Sequence, residues 1–380
     1  MGVLLFAAVM AVFIFAFAPL QMNLGIPGLI ITELGFLVIA VVYGLIRKVK
    51  LTEMFPIKKV KIREVIGAVI LVLGIFPVAI MLVAVSALIF PDSIHEVSDM
   101  NSFVYGSLNF PLAVLIVALL PAVCEEAIHR GAIISHFRGI KHDWVIVLIM
   151  GLFFGINHMS VLRFLTTMTL GLFLSYVVVK KNNLLLSMIM HFTNNLISVV
   201  LTYAQGEAAS ANPASANYTA VLGTYLIIGC LSPVLITLGL MLIYPEGHKK
   251  IKFLWAGILS AVMLVSGFGI TAYAGSQNVL LNSMISYEVT EEQQEDSSLY
   301  FDVEEERTAT VVVMVTNAEG GYTVRIDGDS GSNIINAEIP EGGVRMVSYN
   351  VTLKPDKYTV TIVADDDAVG ENPQIQVTIQ

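Results

Sequence analysis

Nine apolar stretches fill the first 274 residues of the chain, and a soluble fold has no interior large enough to hide so much hydrocarbon. They run Val3–Leu20, Ile26–Ile46, Val65–Phe90, Pro111–His136, Trp144–His158, Leu162–Val179, Leu184–Ala204, Ala220–Tyr244 and Phe253–Ala274. A helix needs about 20 apolar residues to cross the hydrocarbon core of a bilayer. The fifth and sixth stretches are short, but the 37 residues from Trp144 to Lys180 are too many for one crossing, and Asn157–Arg163 is the polar place to turn. Composition agrees: 56% of the chain is hydrophobic and 13% charged, where soluble domains carry about 25% charged residues. The expectation is an all-α polytopic membrane helix bundle of about nine transmembrane helices, an integral protein of the cell membrane with the lipid bilayer as its main partner.

Charge divides the chain in two. The formal net charge is −9, with 19 acidic and five basic residues from Leu281 onward, and 11 acidic and 16 basic before it. An acidic chain without clustered basic charge does not fit a nucleic-acid partner. The basic residues of the first part gather in short loops: Arg47 to Arg63, Arg138 with Lys141, Lys180 with Lys181, and Lys249 to Lys252. If every segment crosses, these loops share one side, which the positive-inside rule makes cytoplasmic. The intervening loop Pro91–Phe110 carries Asp92, Glu96 and Asp99. Nine crossings from a cytoplasmic N-terminus put the C-terminal part outside. The first segment lacks a preceding Lys or Arg and is read as retained rather than cleaved. Cys124 and Cys230 both fall within spans and imply no disulfide framework.

From about Ser297 the pattern changes to short alternating runs: Leu299–Val303, Thr308–Val315, Tyr322–Ile326, Val344–Leu353, Tyr358–Val363 and Ile375–Ile379. These read as strands. Gly320-Gly321, Asp327-Gly328, Gly342-Gly343 and Pro355-Asp356 punctuate them, the pattern of a small all-β sandwich. The turn Lys354–Val360 suggests an immunoglobulin-like module, available to an extracytoplasmic partner. Glu291–Glu306 reads as an acidic, solvated linker merging into the first strand, and Asp365, Asp366 and Asp367 as a solvated loop.

Ionisable side chains inside a bilayer cost about 2.5–3.5 kcal/mol each on insertion scales and need a reason to be there. The fourth segment holds Glu125, Glu126, His129 and Arg130; the fifth ends on Asn157 and His158; the seventh holds His191, Asn194 and Asn195. Glu126 and Arg130, four residues apart, share a helix face and can pair, while Glu125 is turned about 100° away. His191 and Asn195 share a face in the same way, and Phe154 stands one turn before His158.

Glu125-Glu126-x-x-x-Arg130, Phe154-x-x-x-His158 and His191-x-x-x-Asn195, in that order on three membrane helices, resemble the CAAX-protease and bacteriocin-processing (CPBP) intramembrane glutamic endopeptidases, a family that includes the Ras-converting enzyme. The resemblance covers Pro111 to about Leu201. It implies a catalytic core at 111–204; outside the resemblance, the apolar and alternating patterns place N-terminal (1–110) and C-terminal (205–280) transmembrane helices, the linker (281–296) and the sandwich (297–380). It assigns Glu125 the activation of water, assisted by His158. His191 and Asn195 would bind the tetrahedral oxyanion, and Glu126, Arg130 and Phe154 would support the site. No cofactor and no metal is implied. The substrate would be a membrane-embedded or membrane-bound peptide or protein tail.

Three other functions remain open on the residues alone, one of them a transporter, for which intramembrane charge is also typical, although no pair of matching interrupted helices marks inverted repeats. Glu125, His158 and His191 supply a two-His-one-carboxylate set for a metal-dependent protease, although no His-Glu-x-x-His is present. A non-catalytic scaffold or immunity protein would use the same helices to bind rather than to cleave.

Overall fold

The computed structural model describes residues 1–90, 108–205, 218–247, 250–291 and 294–380. The chain forms two compact units, Met1–Thr271 and Ala272–Gln380.

The first unit is helical. Eight helices are long and apolar enough to cross a membrane among the described residues: α1 (Gly2–Leu24), α2 (Ile26–Ile46), α3 (Ile62–Ile89), α4 (Phe110–Ile133), α6 (Val161–Lys181), α7 (Leu184–Gln205), α8 (Thr219–Ile243) and α9 (Lys250–Asn278). The expected ninth crossing, α5 (Asp143–Asn157), has 15 residues. At 1.5 Å per residue it spans about 22 Å, short of the roughly 30 Å hydrocarbon core. Its antiparallel packing on α6 is fixed by an ion pair between Asp143, at the start of α5, and Lys180, near the end of α6, at 2.7 Å.

Side-chain contacts gather the basic loops at one end of this bundle. Lys181 pairs with Glu64 of α3 at 2.6 Å, and Asn183 exchanges hydrogen bonds with the backbone of Lys58, at 3.2 and 3.1 Å. Arg138 donates to the Glu53 carbonyl at 2.9 Å. Gly67, near the start of α3, lies against Leu242 and Ile243 at the end of α8, which brings the loop before α9 to the same end. The acidic stretch Pro91–Phe110 lies almost wholly outside the described residues.

In lipid the apolar effect does not draw helices together, so close approach at small residues does. A Cβ at Gly239 of α8 would stand 2.7 Å from the Leu71 nitrogen and 2.8 Å from the Gly67 carbonyl of α3. Only glycine permits that contact.

α4 is irregular in a way that positions the site. α-Helical turns at Phe110–Ala113 and Leu120–Glu126 alternate with π-helical stretches at Val114–Leu119 and Ala127–Ile133. Pro121 lacks the N–H that would bond back to the carbonyl of Val117, and wider turns relieve the clash of its ring.

The second unit is all β. One sheet has strand order β1-β8-β3-β6 and the other β2-β7-β4-β5, with β1 (Leu281–Ser286), β2 (Glu295–Val303), β3 (Arg307–Thr316), β4 (Tyr322–Gly328), β5 (Asn333–Ile339), β6 (Arg345–Leu353), β7 (Asp356–Ala364) and β8 (Gln374–Ile379). All pairings are antiparallel. Val311, Val313, Val377 and Ile375 from one sheet share a core with Val324, Ile326, Val360 and Ile362 from the other. A sandwich was expected; the immunoglobulin-like topology was not found. The strand order is that of an eight-stranded jelly roll, in which only β4 and β5 are both consecutive and paired. The turn that suggested the other fold does exist: the Tyr358 hydroxyl donates to the Lys354 carbonyl at 2.9 Å and accepts from its N–H at 3.0 Å, a tyrosine corner. That local device is compatible with either strand order. Part of the expected acidic linker is likewise strand, since Leu281–Ser286 pairs with β8.

Candidate active site in the helical unit

The polar residues of α4, α5 and α7 meet around one ring. Phe154, fully buried, has its centroid 4.3 Å from the Arg130 guanidinium carbon. The rings of His158, His129 and His191 stand 4.9, 5.3 and 5.6 Å away, all tilted or edge-on. An aromatic face is negative and attracts a cation, while its rim accommodates other rings edge to face. Phe154 therefore fixes the spacing of side chains from three helices.

Beneath it lies an ion pair shut off from solvent. Arg130 Nη1 donates to Glu126 Oε1 at 2.9 Å with both side chains 0% exposed. Arg130 also donates through Nη2 to the Gly171 carbonyl at 3.2 Å and through Nε to Ser175 Oγ at 3.3 Å, both on α6. Glu126 Oε1 has a second partner, His191 Nδ1 at 3.1 Å, so one carboxylate oxygen ties α4 to α7. α6 approaches closely enough for this only because residue 171 is glycine; a Cβ there would stand 2.8 Å from Phe154 Cβ and 3.3 Å from Arg130 Nη2.

Glu125 is placed differently. Its carboxyl is buried, and its Oε2 has no hydrogen-bond partner among the described residues. Groups within electrostatic reach are His191, Glu126, Arg130 and Arg163. His129 Nδ1 engages the backbone carbonyl of Glu125 at 2.9 Å rather than its carboxylate, and so acts on the helix. His158 Nδ1 engages the Phe154 carbonyl at 2.8 Å, which leaves Nε2 to face other partners.

His191 and Asn195, one turn apart on α7, take separate partners. Asn195 Nδ2 donates to the Val117 carbonyl at 3.2 Å, and its Oδ1 accepts from Asn194 at 3.1 Å. Val117 is the carbonyl that Pro121 cannot bond, so Asn195 satisfies an acceptor exposed by the irregularity of α4.

An apolar cavity of about 460 Å³ opens against Gly155, Ile156, Met159 and Phe164, the residues that flank His158 and the facing turn of α6. Among the described residues no group of three His, Cys, Asp or Glu side chains is arranged to hold a metal ion.

Sequence reasoning missed the partners on α6, Gly171 and Ser175, because a glycine carbonyl and a serine hydroxyl carry no signal. It also missed Glu33 of α2, 4% exposed and within electrostatic reach of Glu125. An ionisable residue in the apolar stretch Ile26–Ile46 was the signal that would have found it.

Comparisons with known proteins address the two units separately. Residues 107–197 match the family described as "Rce1-like: Type II CAAX prenyl endopeptidase Rce1-like". That range contains Glu125, Glu126, Arg130, Phe154, His158, His191 and Asn195. No curated protein matches the chain. Among solved structures, a carbohydrate-binding module from lichenase 5A of Cellvibrio mixtus, in complex with cellotriose, is similar at 14% identity and a TM-score of 0.17; it covers 27% of this chain and 91% of its own. The family match is thus confined to the stretch that carries the site, residues 107–197, which is similar to the Rce1-like type II CAAX prenyl endopeptidases.

Proposed function

We propose that this protein is an intramembrane endopeptidase of glutamic type, in which Glu125 activates the attacking water. The observation that carries the reading is the contrast within the Glu125–Glu126 pair. Glu126 Oε1 is engaged by both Arg130 and His191, whereas no ion pair holds the Glu125 carboxyl among the described residues, although each glutamate keeps one buried Oε2 without a hydrogen-bond partner. A carboxylate removed from water and not neutralised by an ion pair is a competent general base.

In this mechanism a water molecule bound between Glu125 and His158 attacks the scissile carbonyl carbon as its proton passes to Glu125. The carbonyl oxygen becomes an oxyanion. One N–H of Asn195 remains after its bond to Val117, and His191 offers Nε2; together they form the oxyanion hole. A His191 ring that donates through Nδ1 to Glu126 and through Nε2 to the oxyanion carries both protons, and the Glu126 carboxylate is its counter-charge. Collapse of the intermediate breaks the C–N bond, and Glu125 returns its proton to the leaving amine. The apolar cavity beside His158 receives hydrophobic residues of a membrane-embedded peptide or protein tail.

The basic loops gathered at one end of the bundle, together with the antiparallel α5–α6 pair that returns the chain to that end at Lys180, support a cell-membrane orientation with that end cytoplasmic and the jelly roll outside. Protease added to intact cells then removes residues 281–380, and protection until lysis contradicts this orientation.

The test of the chemistry is cleavage of a membrane-anchored reporter peptide by the purified protein in lipid vesicles. Activity that survives EDTA and is lost in His158→Ala agrees with the proposal. Activity abolished by EDTA and restored by zinc points to the metal-dependent alternative. Specific binding of the reporter without any cleavage points to a scaffold.

A further inference from the structure

A second constellation of polar side chains lies away from the candidate active site, at the end of the bundle where the basic loops gather. α2 stops at Ile46, and Lys48 reverses the chain in the left-handed region at a φ of 54°. The Val49 N–H then bonds back to the Gly44 carbonyl, and the Lys48 N–H to the Leu45 carbonyl, both at 3.0 Å. These bonds close the helix end and turn the following residues back towards the bundle. Two glycines admit the short helical turn Leu51–Met54 against the neighbouring helices. A Cβ at Gly44 of α2 would stand 2.9 Å from Leu51 Cδ2, and one at Gly131 of α4 would stand 2.5 Å from Phe55 Cδ1.

Between α2, this turn and the segment after α4 lies a polar pocket of about 260 Å³, whose walls include Tyr43, Arg47, Glu53, His136 and Arg138. Arg138 Nη1 donates to the Glu53 carbonyl at 2.9 Å, which fixes the guanidinium at the pocket wall. Neither Arg47 nor Arg138 forms an ion pair among the described residues. The one carboxylate lining the pocket, Glu53, pairs instead with Lys50 at 3.4 Å. Two guanidinium charges are therefore left without a counter-ion. Tyr43 Oη and His136 Nε2 stand 2.6 Å apart, with the rings near edge to face. That bond uses one polar hydrogen of the pair, and at least one more remains for a ligand. Leu45 and Ile46, just before Arg47, are exposed apolar side chains, so lipid reaches the rim and the pocket stands at the level of the headgroups. Its volume is below the roughly 300–1,000 Å³ of pockets that enclose whole small molecules, a scale that suits a headgroup.

We propose that this pocket binds a phosphate group, with Arg47 and Arg138 donating to its oxygens and the Tyr43–His136 pair supplying a further hydrogen bond. Guanidinium groups match phosphate oxygens in both charge and geometry. Basic pockets between membrane helices on the cytoplasmic side suit anionic headgroups, and the exposed Leu45 and Ile46 favour a phospholipid over a free phosphate as the source. Occupation ties α2 and the turn Leu51–Met54 to the end of α4, the helix that carries Glu125 and Glu126. The site is independent of the chemistry at Glu125.

The experiment is native mass spectrometry of the full-length protein in detergent, comparing retention of phosphatidic acid with that of phosphatidylcholine at about 0.15 M salt, where charges more than about 8 Å apart are screened. Melting with and without inorganic phosphate is the soluble arm. The variants are Arg47→Gln, Arg47→Gln with Arg138→Gln, and a charge-matched control, Lys58→Gln with Lys59→Gln, whose exposed side chains do not line the pocket. Affinity for phosphatidic acid should fall about tenfold in Arg47→Gln and about 10²-fold in the double arginine variant, one charge-assisted hydrogen bond at a time, and little in the lysine control. The Arg47 side chain is exposed and unpaired, so its single variant reads the site even if substitution of Arg138 disturbs the fold. A Tm raised by inorganic phosphate in wild type but not in the arginine variants supports the same site with free phosphate as its source. Equal losses in the arginine and lysine variants overturn the proposal. So does phosphatidic acid held no better than phosphatidylcholine together with a Tm that inorganic phosphate does not move.

Discussion

Glu126→Gln removes one charge from an ion pair whose side chains are both 0% exposed and 2.9 Å apart. Breaking a buried pair by removing one partner costs about 3–5 kcal/mol, because the other charge stays buried. Arg130 retains Ser175, the Gly171 carbonyl and the face of Phe154, and glutamine retains an acceptor oxygen, which argues for the low end, about 3 kcal/mol. A change of 1 kcal/mol shifts Tm by about 2–4 °C in a unit of 150–250 residues, so the melting point should fall by about 6–12 °C. Thermal unfolding of the full-length protein in detergent measures this. The double variant Glu126→Gln with Arg130→Met removes both members of the ion pair and should recover part of the loss, giving a coupling energy above about 0.5 kcal/mol in a double-mutant cycle. A Glu126→Gln protein that melts within 2 °C of wild type, by the same scale, or a cycle that is additive, would refute the assignment of Glu126 and Arg130 as the strut between α4 and α6.

Two further predictions follow from particular contacts. Asn195→Ala should lower the cleavage rate by about 10²- to 10³-fold if its free N–H serves the oxyanion, and should also cost about 1 kcal/mol of stability because it uncaps Val117; loss of stability with an unchanged rate would limit Asn195 to bracing α4 against α7. In the jelly roll, burial pushes the Glu371 carboxyl up, but the N–H of Glu319, the Tyr322 hydroxyl and the N–H of Gly320 outweigh it and hold the group below its usual value. A depressed carboxyl stabilises the fold above its unfolded pKa of about 4.3 and loses that contribution as pH falls through the folded value. Hydrogen exchange of β4 and β8 amides should therefore speed up below about pH 4 in wild type and lose this acid step in Glu371→Gln; an acid step of the same size in both would rule out Glu371 as its source.

Much of the helical unit was legible because each span announces itself as an uninterrupted apolar run, and because ionisable residues are so costly there that Glu125, Glu126, Arg130, His158 and His191 stood out against lipid. Helical spacing was enough to pair Glu126 with Arg130 and to pack His158 against Phe154, since both are contacts along a single helix. Contacts between helices were not legible. That His191 would engage Glu126, that Asn195 would answer the carbonyl left open by Pro121, and that Gly171 would admit Arg130 depend on how α4, α6 and α7 pack. The short α5 read as a crossing because apolar content does not fix where a helix stops. In the sandwich, alternation revealed the central strands but not β1 or β5, where Asn282, Ser283, Asn333 and Asn336 dilute the pattern. Strand order was beyond reach, since in a jelly roll most neighbours in the sheet are distant in sequence.

The account stands or falls on the different duties of two adjacent glutamates, and Glu125→Gln tests that most directly. The substitution keeps the size and hydrogen-bonding capacity of a side chain that holds no ion pair at its enclosed oxygen, while removing the base. Turnover of a membrane-anchored peptide and the melting temperature should be measured on the same preparation. The account predicts that cleavage is abolished while Tm stays within about 2–4 °C of wild type, the equivalent of 1 kcal/mol. Near-normal cleavage by Glu125→Gln would contradict it.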